Sequence, residues 1–128
     1  MRILNLKWIV IVGLFFSLSL KAQSLEKMKT MSVEELATFK TNELKKELNL
    51  SENQAAKLQV VNLEFAKVAL PVIKSNDAKF TVAKKLKPLD EKRDQDLEKI
   101  LDKKQFELYK KNKEKKISKL RAEFLSEN

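Results

Sequence analysis

The chain has 128 residues and a formal net charge of +9, from 27 basic and 18 acidic side chains. It contains no cysteine and no histidine, and its only glycine is Gly13. These absences exclude a disulfide framework, a thiol nucleophile, an imidazole base and, beyond residue 13, a glycine-rich phosphate loop. The length suggests one domain. Abundant Lys, Glu, Leu and Ala, with prolines only at Pro71 and Pro88, predict an all-α fold. A compact β fold would need more turn residues than this.

Residues 1–22 read as a secretory signal. Arg2 and Lys7 form its charged start, and Trp8 to Leu20 is an apolar run of 13 residues. That length suits a signal core and is short for a membrane span. Ala22-Gln23 is the expected cut, although Leu20 matches the small-residue rule less well. An uncleaved anchor is the alternative. The absence of Cys excludes a lipoprotein anchor. The leader carries three basic residues and no acid, so +6 of the +9 belongs to residues 23–128. The rest is a mixed surface with a basic excess.

Residues 23–31 are expected to be a flexible lead-in to a single helical domain over 32–126. Ser32-Val33-Glu34-Glu35 has the form of a capping box, in which the N-cap hydroxyl and the N3 carboxylate satisfy one another's backbone N–H groups. It opens a first predicted helix to about Leu48, whose ragged apolar stripe is Leu36, Phe39, Lys40, Leu44 and Leu48, with the Lys stem covering part of it.

A five-residue pattern then occurs twice, as Leu50-Ser51-Glu52-Asn53-Gln54 and Leu101-Asp102-Lys103-Lys104-Gln105. Ser51 and Asp102 are good N-caps. Gln54 and Gln105 lie three residues on and can reach back to the cap's own N–H, while Leu50 and Leu101 stand where a staple residue would. Each copy is predicted to start a helix and fix the entry angle of the chain.

The second predicted helix starts at Ser51 and runs past Ile73. Its main stripe is Ala55, Leu58, Val61, Asn62, Phe65, Val68, Ala69, Val72 and Ile73. Val60, Leu63 and Leu70 lie off that stripe, so the helix is either sandwiched between others or presents a second apolar face to a partner. Pro71 is expected to kink or end it. Asn76-Asp77 is a plausible break, and 78–87 is helix-compatible. Pro88 fits the start of a third predicted helix, with Leu89, Arg93, Leu97, Ile100 and Leu101 inward and Asp90, Glu91, Asp94, Asp96 and Glu98 forming an acidic exterior. The fourth opens at Asp102 and runs to about Leu125. Phe106, Tyr109, Ile117, Leu120 and Phe124 share one face, and Lys104, Lys111, Lys115 and Lys119 the opposite one. A solvated outer face is the plain alternative for those lysines.

The doubled pattern resembles the LTxxQ motif of the Spy/CpxP family of periplasmic proteins, with Ser51 and Asp102 in place of the usual Thr. Ile100-Leu101 and Gln105-Phe106-Glu107-Leu108-Tyr109 look like the family's second motif and the helix it opens. The resemblance spans roughly residues 33 to 125. It implies about four helices in a thin, curved cradle, usually a homodimer, in the periplasm. It implies an ATP-independent chaperone that binds unfolded or stress-damaged envelope proteins. The alternative is a regulator that binds an envelope-stress or metal-responsive sensor kinase. Some relatives bind metals, usually through His, Cys or Met with carboxylates, and this chain has neither His nor Cys. No catalytic constellation, metal set or cofactor is expected, and paired carboxylates such as Asp90 with Asp94 read as solvated. The signal argues against nucleic acid as the partner, and no stable membrane insertion is expected once it is cleaved. The expected client-binding residues are Val60, Leu63 and Leu70 for apolar contact and Lys104, Lys111, Lys115 and Lys119 for electrostatic steering. Gln54 and Gln105 are expected to be scaffold.

Overall fold

The computed structural model describes residues 23–126, so the expected leader at 1–22 lies outside the described residues. Those residues form five helices and no strand. They are α1 (Gln23–Lys29), α2 (Val33–Leu48), α3 (Glu52–Lys74), α4 (Lys79–Ile100) and α5 (Lys103–Ser126). α3 is the central element, packed between α2 and α4, with α1 laid against it and α5 resting on α2 and α4.

The ends of the helices follow local chemistry. Ser32 and Glu35 form the expected reciprocal box at the start of α2. Asn49 ends α2 at φ 52°, in the left-handed region that Asn tolerates better than most residues. Both Asn49 N–H and Leu50 N–H donate to the Lys45 carbonyl. α3 continues one turn beyond Pro71 and stops at Ser75, whose hydroxyl donates to the Val72 carbonyl at 2.7 Å. The break at Asn76-Asp77 is present.

Two expectations about the elements are corrected. The stretch 23–31, expected as a flexible lead-in, holds α1 over Gln23–Lys29, and Met28 and Met31 are buried among Leu36, Phe65, Ala69 and Ile73. The predicted third helix does not start at Pro88. α4 begins nine residues earlier and carries Pro88 inside it. Its buried positions Val82, Ala83, Leu86, Asp90, Arg93 and Leu97 keep helical spacing through the proline. Packing along one face therefore outweighs the lost N–H and the ring clash, which cost about 3 kcal/mol in an unsupported helix. The fold thus has five helices among the described residues instead of about four.

The interior is divided into two apolar clusters. One joins Met28, Leu36, Phe65, Ala69, Leu70, Ile73, Val82 and Leu86 with their neighbours. The other joins Leu44, Leu48, Leu50, Leu58, Leu97, Leu101 and Tyr109 at the motif end. On each of the three packed helices one polar turn lies between them: Lys40 and Thr41 on α2, Asn62 on α3, and Asp90 and Arg93 on α4.

Candidate functional site

The polar layer is hydrogen-bonded from one helix to the next. Thr41 Oγ1 donates to the Ala37 carbonyl at 2.8 Å and accepts from Asn62 Nδ2 at 3.0 Å. Arg93 reaches Asn62 Oδ1 at 3.4 Å and Asp90 Oδ1 at 3.5 Å. Lys113 of α5 then bridges two carboxylates, Asp90 at 2.9 Å and Asp94 at 2.5 Å. The Tyr109 hydroxyl donates to Asp94 at 2.6 Å. The Phe65 ring lies under two cations, 5.0 Å from the Arg93 guanidinium and 5.6 Å from Lys40 Nζ, both attracted by its negative face.

Burial and charge shift these groups in opposite senses. Loss of water, reinforced by Arg93, lowers the Lys40 ammonium to about 7, against opposition from Asp90 and Glu43. Burial alone would raise Asp90, but Arg93 and Lys113 outweigh it and hold the carboxyl below its usual range. Burial pushes the Tyr109 phenol up to about 12. Burial also opposes the charge on Lys113, yet Tyr109, Asp90 and Asp94 together raise it. The layer holds three basic side chains against two carboxylates, and Lys113 occupies the space between the two acids. Asp90 and Asp94 are therefore not the solvated pair that their i, i+4 spacing suggested. Lys40 likewise does not carry its head out to water: it is 3% exposed.

The two motifs meet. Ser51 and Gln54 form the expected capping box, and Asp102 and Gln105 form a second. Beyond this, the two Gln amides pair with each other. Gln54 Nε2 donates to Gln105 Oε1 at 2.7 Å, and Gln105 Nε2 returns a bond to Gln54 Oε1 at 3.2 Å. The remaining N–H bonds go to the Ile100 carbonyl at 3.2 Å and the Leu48 carbonyl at 3.5 Å. Each amide oxygen accepts twice and each nitrogen donates twice, which fills the capacity of the group. Leu50 and Leu101 are buried beneath this clasp. Replacing Ser51 or Asp102 by Ala is expected to cost about 1 kcal/mol. Thermal unfolding checks this, and an unmoved midpoint in both variants would refute the capping role.

A groove of about 220 Å³ opens between α3 and α4. Val61, Phe65, Val68 and Leu89 wall it, Arg93 lies at its base and Glu64, Lys92 and Asp96 stand around it. Lys92 is 3.3 Å from Asp96 and 3.9 Å from Glu64. Val68 is 53% exposed, and Val60, one position before Val61, is 57% exposed.

The structure separates the expected client residues. Val60 is open to solvent. Leu63 is half-buried against the first apolar cluster. Leu70 is 3% exposed and belongs to that cluster, so it offers no free apolar surface. The reason is the sandwich: α1 and α2 cover this side of α3, which rotates Val68, expected inside, toward water. Lys104, Lys111, Lys115 and Lys119 are all exposed on α5. The apolar face opposite them is occupied at Phe106, Tyr109 and Ile117; the side chains of Leu120 and Phe124 lie outside the described residues. Sequence patterning had pointed to none of the cross-helix partners in the polar layer. The available signals were Lys40 and Asn62 standing in apolar stripes, and the Asp90-Arg93 spacing of i, i+3.

No family model matches this chain, and neither a curated protein nor a solved structure matches it.

Proposed function

We propose that the protein is a periplasmic, ATP-independent chaperone-like protein of the Spy/CpxP type, a thin, curved homodimeric cradle that holds unfolded or stress-damaged envelope proteins. The observation that carries this reading is the open apolar groove between α3 and α4, with Val68 exposed on its wall and Val60 exposed on the same helix. Solitary surface valines are ordinary, but Val68 on the wall of an apolar groove, with Val60 exposed about two turns before it on α3, makes a patch able to hold an apolar client side chain. The paired Gln motifs support the family likeness, and the basic α5 would speed encounter with acidic clients.

The purified protein is expected to suppress aggregation of several unrelated unfolded proteins without nucleotide. Val60→Ser with Val68→Ser should speed client release several-fold and leave the fold intact, since both side chains face water. Unchanged release in that variant would remove the groove from the client site. Failure of the wild type against every client, together with recovery of one membrane kinase from envelope extract, would replace the chaperone reading by the regulator. Sedimentation across micromolar concentrations tests the dimer.

A further inference from the structure

The basic excess of the chain is concentrated in one helix. α5 carries nine basic and three acidic side chains, a net +6, whereas residues 23–102 carry 15 and 14, a net +1. Within α5 the lysines divide by face. Lys113 and Lys116 turn inward and are consumed by Asp90, Asp94 and Glu47. Lys104, Lys111, Lys115 and Lys119 point away from the body, and among the described residues none of them has an ion-pair partner. At 100° per residue these four fall within an arc of about 80°, along about 22 Å of helix. Leu108 falls inside the same arc and is 42% exposed.

We propose that this outer face of α5 is a docking surface for an anionic lipid bilayer, on which the protein lies peripherally and reversibly. The face is formed by one helix. Its charges sit on long flexible stems, which suit mobile headgroups and not a bidentate acceptor. Each Lys close to an anionic surface raises adsorption roughly fivefold, and the attraction is lost beyond a Debye length. Leu108 gives the stripe one apolar contact for the headgroup boundary. A protein partner fits less well, because interface cores are depleted in Lys and this face has a single apolar side chain and no cavity. A nucleic acid fits less well, because the stripe carries no aromatic side chain for base stacking and a phosphate backbone leaves Leu108 without a partner. Among the described residues no helix is long and apolar enough to cross a membrane.

The test uses the exported protein, its N-terminus read by mass spectrometry, and vesicles of phosphatidylcholine with and without 30% phosphatidylglycerol. No client is present, so the outcome is separate from the chaperone reading. The wild type is expected to bind the anionic vesicles at least tenfold more tightly than the neutral ones at low salt, and to leave them at high salt. Reversing all four lysines to Glu should abolish the difference, with helix content and unfolding midpoint unchanged. Should that variant fail to fold, Lys111→Gln with Lys115→Gln should still weaken binding by at least tenfold. Leu108→Ser should weaken it a few-fold. Equal binding to both vesicle types, or undiminished binding by the lysine variants, would overturn the proposal. So would preferential capture of polyglutamate or duplex DNA when each competes with the anionic vesicles at equal charge.

Discussion

Lys40→Met is expected to stabilise the protein at neutral pH, by roughly 2–3 kcal/mol. The midpoint should rise by roughly 10–20 °C, on the scale of 4–8 °C per kcal/mol for a domain of this size. The ammonium sits on α2 with 3% exposure, in a layer that already holds Arg93 and Lys113. Its lowered value of about 7 against an ordinary 10.5 corresponds to a penalty on the order of 4 kcal/mol for keeping it charged in the fold. The substitution removes that penalty. It also removes the contact with the Phe65 ring, worth about 1 kcal/mol, and other contacts of the Lys head. Met is flexible and near in length, so it fills the same space. Replacing a buried charge by a fitted apolar group is often neutral or stabilising for this reason.

The pH dependence separates this account from a simple packing gain. Between about 7 and 10.5 the unfolded Lys40 holds a proton that the folded one has released. Unfolding then takes up a proton, so falling pH favours unfolding, and wild-type stability rises with pH across that window. Below 7 both states are protonated and the penalty is constant. Lys40→Met should therefore gain most at pH 7 and progressively less toward pH 9.5, where the two curves approach each other. Tyr109 and Lys113 are both raised in the fold and act in the opposite sense at higher pH, which confines the comparison to values below about 9.5. Asp90, held low, loses its contribution only as acid protonates it and does not enter this window. Denaturant unfolding of both proteins at several pH values is the measurement. A constant offset between them would show that the Lys40 charge is not what opposes folding.

Much of the helical framework was legible because it rests on local chemistry. Ser32 with Glu35, Ser51 with Gln54 and Asp102 with Gln105 announce helix starts through side chains that reach only three residues. The Ala55, Leu58, Phe65 and Ile73 spacing found the core side of α3 for the same reason. What failed depended on neighbours. Pro88 reads as a helix start unless one knows that Val82 and Leu86 pack against α3 on the far side of it. Leu70 reads as a free apolar face until α1, which the sequence suggested was loose, covers it. Met28 and Met31 carried that signal weakly, because seven helical residues hold too few turns to display a period. The polar layer was least legible. Lys40, Asn62, Arg93 and Lys113 come from four helices, and their alignment is set by tertiary register. The groove valines and the outward lysines of α5 were visible as positions, but their openness depends on which faces the other helices happen to cover.

The second large effect concerns the amide clasp. Gln54→Ala is expected to cost about 2–3 kcal/mol, more than the loss of either cap residue. It removes the acceptor for the Ser51 N–H and the donor for the Ile100 carbonyl. It also leaves the Gln105 amide with one donor and one acceptor position unfilled. Half-buried groups stripped of partners cost about 1–3 kcal/mol each before any water returns to them. Gln105→Ala should cost a similar amount, through the Asp102 N–H and the Leu48 carbonyl. The double variant should cost less than the two single costs combined, by about 1–2 kcal/mol, because the second substitution removes groups that the first has already stranded. Gln54→Glu is the sharper probe, since it keeps the shape and replaces a donor by an acceptor. At neutral pH its carboxylate would face the Gln105 oxygen and the Ile100 carbonyl with no hydrogen to offer either, and the variant should be at least as unstable as Gln54→Ala. Acid should partly rescue it relative to the wild type. The fold favours the protonated carboxyl, so this contribution is present below the unfolded-state pKa and is lost as pH rises through the folded one. Unfolding of the four variants at pH 7, and of Gln54→Glu in mild acid, measures all of this. Strict additivity of the two alanine substitutions, with no acid rescue of the glutamate, would mean that the glutamines act as separate caps and that the paired motifs do not hold each other.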